Sequence, residues 1–141
     1  MDRSEVGHLR NSAKRMRRWI IEQSEASHVG HIGSALSITD IMVVLYEAIM
    51  DRAGTSDLDR DRFILCKGHA SLALYSALRM RGLLSDEEYA TYCGDGSLLG
   101  VHPEHFLAGV DVSTGSLGQG LSIACGLALG LRKKKLTSRV F

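Results

Sequence analysis

Residues 62–81 read RFILCKGHASLALYSALRMR, and the change of pattern inside this stretch decides the fold. Residues 62–66 form a short apolar run bounded by charge on one side and Gly68 on the other, as expected of a buried parallel strand. A helix is predicted to follow, from about His69 to Arg81. Far downstream, the small and apolar stretch LGQGLSIACGLALGLRKK, residues 117–134, predicts a helix packed closely under other elements, with lysines at its end complementing the helix dipole. Residues 139–141 then begin a second strand. Strand, crossover helix and strand are the start of a parallel α/β sheet. One strand and part of another cannot cover their own faces, so the expectation is an incomplete doubly wound parallel sheet within a helix-rich fragment.

Working outward, Val6, Leu9, Ala13, Met16 and Ile20 recur at helical spacing and predict an amphipathic helix over residues 4–26. The stretch SHVGHIGSALS, residues 27–37, reads as a loop running into a second helix capped by Ser37 or Thr39. Ile41, Val44, Leu45, Ala48 and Ile49 are its expected apolar face, and polar residues 51–61 break the pattern. Ser85 with Glu88 forms a capping-box pattern for a short helix ending before Gly94. Residues 94–120 are glycine-rich and irregular and contain the single proline, Pro103.

The 141 residues fit one domain, 1–141, with 45% hydrophobic and 23% charged residues and a net charge of +1. That balance gives no footprint for nucleic acid. The short basic clusters Arg15, Arg17, Arg18 and Lys133, Lys134, Lys135 read as solvated helix ends. Cys66, Cys93 and Cys125 are odd in number and lack metal or redox spacing, so reduced thiols in a cytoplasmic protein are expected. The longest apolar runs fall short of the roughly 20 residues of a membrane span, and MDRSEVGHLR does not read as a signal peptide.

Chemistry concentrates where histidine meets glycine: His31 in GHIG, His69 in KGHA and His102 in GVHPE. Glycine allows close backbone approach to a ligand, and histidine offers a neutral acceptor or a charged donor near neutral pH. His69 directly follows the predicted strand, and ligands of open parallel sheets bind outside the carboxyl ends of strands. The turn Ser113, Thr114, Gly115, Ser116, Leu117, Gly118 leads into a predicted helix, where backbone amides can hold an anion or a polar ring edge. His8, His28 and His105 read as surface or loop histidines without a site role.

Taken in order, ASHVGHIGSALSITDIMVVLY, DRDRFILCKGHASLALYSALRMRGLLSDEEYATY, GDGSLLGVHPE and GVDVSTGSLGQGLSIACGLALG resemble the transketolase family over nearly the whole chain. They look most like the amino-terminal subunits of transketolases split into separate chains. The resemblance implies a thiamine-diphosphate-binding domain, of which this is the front part, and transfer of a two-carbon ketol unit from a ketose to an aldose. By position, it assigns His31 and His102 to the sugar substrate and His69 to the cofactor diphosphate, and makes all three the candidate catalytic groups. Gly115, Ser116 and Leu117 fall on the loop that touches the cofactor rings.

The family holds its diphosphate through Mg2+ bound by a Gly-Asp-Gly motif and an asparagine, placed after the strand that residues 139–141 begin. Gly94, Asp95, Gly96 looks like that motif but aligns with the loop before the channel histidine, and Asn11 is the only asparagine. Val101 stands where the family usually has glycine. No metal ligand is therefore assigned here. The resemblance implies partner subunits that supply the metal motif and the activating glutamate in a hetero-oligomer. A non-catalytic scaffold or regulatory subunit is the alternative from another class. A deoxyxylulose-phosphate synthase is the enzyme alternative, against which the STGSLGQG loop speaks.

Overall fold

The computed structural model describes residues 2–141. Helix α1, Arg3–Ser27, begins with a capping box: Asp2 accepts from the Glu5 N–H (2.8 Å) and Glu5 accepts from the Asp2 N–H (2.6 Å). It ends where His28 turns into the left-handed region at φ 54°, so the chain reverses there. Leu9, Ala13, Met16 and Ile20 are buried, as their spacing predicts.

Part of the predicted loop is helical, α2, Ile32–Leu36, and the second helix that the sequence predicts after it divides into α3, Thr39–Val44, and a π-helical turn, Leu45–Ile49. The predicted caps do not cap. Ser37 Oγ donates to the Ser34 carbonyl (3.0 Å) and Thr39 Oγ1 to that of Ala35 (3.3 Å), so both hydroxyls serve the preceding helix instead. The buried face also differs from the expected one. Met42, Val43 and Tyr46 enter the core, while Ile41 is 59% and Ile49 41% exposed.

A 3-10 turn, Gly68–Ala70, leads into α4, Ser71–Met80, the central helix, buried throughout from Ser71 to Leu78. Its polar groups are satisfied within the core: Ser76 Oγ donates to the Leu72 carbonyl (2.7 Å) and shares a bond with the Tyr89 hydroxyl (2.7 Å). The Ser85–Glu88 capping box forms, and α5 runs from Asp86 to Ala90.

The expected sheet is not formed among the described residues. Residues 62–66 and 139–141 meet in one parallel bridge, Arg62 with Val140. Its bonds run from Arg62 N–H to Arg139 O (2.8 Å), Phe141 N–H to Arg62 O (2.9 Å) and Ile64 N–H to Phe141 O (2.9 Å). The opposite edge of residues 61–65 is closed by other groups. Asp61 N–H donates to Asp51 O (3.1 Å), Phe63 N–H to Asp111 Oδ2 (3.3 Å), and Leu65 O accepts from Thr114 Oγ1 (2.8 Å). Asp111 is held in place by Arg60 (2.6 and 3.1 Å) and Arg62 (3.2 Å).

Helix α6, Gln119–Lys133, does form, but not tightly packed as expected. Gly120 and Leu131 are its buried residues, whereas Leu121 and Leu129 are 69% and 66% exposed. Gly120 packs on Cys66: a Cβ there would lie 2.7 Å from the Cys66 Cα. Beside it, Ile64, Cys66, Leu121, Ala124, Cys125, Ala128, Val140 and Phe141 line an apolar groove of about 300 Å³. No helix among the described residues is long and apolar enough to cross a membrane.

Candidate functional site

The three histidines that the sequence singles out are carried by three different segments. His31 starts α2 in the left-handed conformation, φ 64°, which is costly for a residue with a side chain. His69 lies in the 3-10 turn after residues 62–66. His102 sits on the loop that α4 anchors, where Ser71 Oγ donates to Val101 O (2.7 Å) and the Tyr75 hydroxyl to Gly100 O (3.0 Å) and His102 O (3.3 Å).

The fold brings His31 and His69 together, with ring centroids 5.2 Å apart. Ser34 Oγ lies 2.7 Å from His69 Nε2, and Lys67 Nζ donates to Ser34 O (2.7 Å) and Ser37 Oγ (2.8 Å). The turn carrying His69 is thereby tied to α2. Burial foremost, then the positive potential of His31, Lys67 and His102, holds the His69 imidazole below its ordinary pKa. Gly115 faces His102: a Cβ on it would lie 3.4 Å from His102 Cδ2. Gly68 packs on the same loop, where a Cβ would lie 2.7 Å from the Thr114 carbonyl carbon. Ser116 and Leu117 are exposed on the turn before α6, Leu117 to 70%.

Ser34 and Lys67 are the site residues that sequence reasoning missed. Each lies inside a quoted motif, beside His31 or His69, but nothing in the spacing pairs positions so far apart. The histidines without an assigned role have structural partners: His28 is the C-cap of α1, His105 Nδ1 lies 3.1 Å from Ser113 Oγ, and His8 Nε2 lies 3.2 Å from Glu47 Oε2. A concavity of about 520 Å³ opens beside His8 and Glu47, away from the cluster.

The donor set suits an organic anion. Lys67 and the imidazoles offer N–H donors, the Gly115 loop offers open backbone, and no carboxylate takes part in the bonds that join them. It does not suit Mg2+, which demands oxygen ligands; among the described residues no three His, Cys, Asp or Glu side chains gather as a metal-binding group.

Comparison with known proteins identifies the family. The chain is 35% identical over 136 residues to 6-deoxy-6-sulfo-D-fructose transketolase subunit SqwG of Clostridium sp. (strain MSTE9), covering 94% of this chain and 50% of that protein. It is 33% identical to an apulose-4-phosphate transketolase subunit from Phocaeicola vulgatus, covering 97% of this chain and 50% of that one. The chain thus spans about half the length of these curated relatives. Transketolase from Campylobacter jejuni superposes with a TM-score of 0.82 at 32% identity, over 90% of this chain and 20% of that structure. Residues 9–139 match the family described as the thiamine diphosphate binding domain of transketolase. The chain belongs to the transketolase family, within its thiamine-diphosphate-binding domain.

Proposed function

We propose that this chain is the amino-terminal component of a multi-chain, thiamine-diphosphate-dependent, cytoplasmic transketolase that moves a two-carbon ketol unit from a ketose to an aldose. The observation that carries the reading is the meeting of the His31 ring with His69, which Ser34 and Lys67 join by hydrogen bonds between two of the quoted motifs. Membership of the family and likeness to proteins named as transketolase subunits support it. When bound, thiamine diphosphate supplies the electron sink for cleaving and forming a carbon-carbon bond.

The chain's own residues would bind, orient and move protons. His69 faces the diphosphate, and its depressed pKa keeps the ring neutral near neutral pH, so one nitrogen can accept a proton or hydrogen bond. His31 and His102 contact the sugar hydroxyls. Gly115, Ser116 and Leu117 present backbone to the cofactor rings. The Gly-Asp-Gly motif, its Mg2+ and the activating glutamate come from polypeptide outside these residues.

Calorimetry tests the division of labour. Thiamine diphosphate with Mg2+ should bind weakly or not at all to the chain alone, and tightly to the assembly co-purified from the native source. Tight, magnesium-dependent binding by the chain alone would overturn it.

A further inference from the structure

Thr114, on the Gly115 loop, bonds two of the segments that carry the candidate site, the His69 turn and the His102 loop. Its hydroxyl donates to the Leu65 carbonyl (2.8 Å), just before the Lys67–Gly68–His69 turn. Its N–H donates to the Pro103 carbonyl (3.2 Å), next to His102. Its own carbonyl abuts Gly68, where there is no room for a Cβ, and the residue after it, Gly115, faces the His102 ring. A second bond beside it, from His105 N–H to Ser113 Oγ (2.8 Å), ties the same two loops together. Thr114 is only 4% exposed, so these bonds are shielded from competing water.

We propose that Thr114 is a positioning residue whose buried hydroxyl sets the spacing between the His69 turn, the His102 loop and the Gly115 loop. The assignment rests on reading that surface as the cofactor and sugar site, but the joint itself is independent of any ligand. The chemistry explains the residue type. Valine has the same shape without the donor, and would leave the Leu65 carbonyl buried with no partner. Serine keeps the donor and loses only a methyl group. A residue that merely filled space would reverse that order, tolerating valine and suffering from serine.

Carbethoxylation of histidine by diethyl pyrocarbonate, read residue by residue by mass spectrometry on the full chain, separates the two. In Thr114→Val the rate at half-buried His69 should rise severalfold, while His8 and His28, at the two ends of α1 and bonded to none of the segments that Thr114 joins, keep their wild-type rates. In Thr114→Ser all of these rates should match wild type. Unchanged His69 reactivity in Thr114→Val overturns the proposal, and so does a raised rate in Thr114→Ser. Should Thr114→Val unfold, seen as raised rates at His8 and His28 as well, the serine variant decides alone. Because no cofactor is added to the chain in this experiment, failure of the joint is distinct from failure of the functional reading, which is tested by whether thiamine diphosphate with Mg2+ protects His69 in the assembly co-purified from the native source.

Discussion

The His31 and His69 rings lie 5.2 Å apart and tilted by 52°, with the Ser34 hydroxyl 2.7 Å from His69 Nε2. Burial foremost, and then the closeness of His31 and Lys67, disfavours a proton on His69, so its pKa lies below the ordinary value.

The sign of the pH effect follows. A histidine in the unfolded chain titrates near 6.5, roughly its reference value. Below that pH the unfolded chain takes up the proton while folded His69 still refuses it, so the contribution to stability is present above the unfolded pKa and is lost as pH falls through the folded one. Thermal melts of wild type and His69→Gln across acidic pH check this. The variant should lose less stability on acidification, and parallel curves would refute the assignment.

His69→Ala in the assembled enzyme should lower ketol transfer by about 100-fold to 10,000-fold without unfolding the chain, the range for losing one proton-transfer group. His8→Ala is the control. Its ring is largely exposed, on the far side of α1 beside Glu47, and transfer should be unchanged. Steady-state rates at saturating cofactor, with circular dichroism for folding, distinguish the two.

Asp111→Ala should be among the most damaging substitutions away from the site. The carboxylate bonds Arg60 and Arg62, whose side chains are 10% and 14% exposed, and also the Phe63 N–H. Removing one partner of a buried ion pair costs about 3–5 kcal/mol, because the remaining charge has no water. Chemical denaturation measures it. A loss under about 1 kcal/mol, the range of exposed pairs, would show that water screens the network.

The chain purified alone should self-associate or bind a hydrophobic dye through α6 and the groove beside it. At about 25 cal/mol per Å², a few hundred Å² of apolar surface left wet forgoes several kcal/mol, comparable with a domain's whole stability. Sedimentation velocity decides. A compact, cooperatively melting monomer would show that this surface needs no cover.

What was legible in the sequence was local. The period of Leu9, Ala13, Met16 and Ile20 and the capping box at Ser85 involve residues within a turn or two of each other, so α1 and α5 follow from the text alone. Residues 41–50, IMVVLYEAIM, are apolar almost all round, so periodicity cannot choose between the Ile41 face and the Met42 face; packing against α1 and α4 chooses. The expected pairing of residues 62–66 with 139–141 is present only as one parallel bridge, and what the sequence could not show is non-local: Asp111 and Thr114, some fifty positions away, occupy the opposite edge. In the site, glycine beside histidine marked His31, His69 and His102. The bonds of Ser34 and Lys67 depend on two segments meeting, which no motif records.

The closed edge of residues 61–65 also limits the stoichiometry of assembly. In the terms of polymer chemistry, a strand pair with two open edges is bifunctional and propagates into fibrils, whereas a pair with one is monofunctional. Here the open edge is that of Val140, whose N–H and C=O make no backbone bond among the described residues. One incoming strand, or the same edge of a second copy, saturates it and terminates growth. Edge pairing would therefore stop at a discrete complex, because Asp111 and Thr114 occupy the groups that a strand adding on the other side would need.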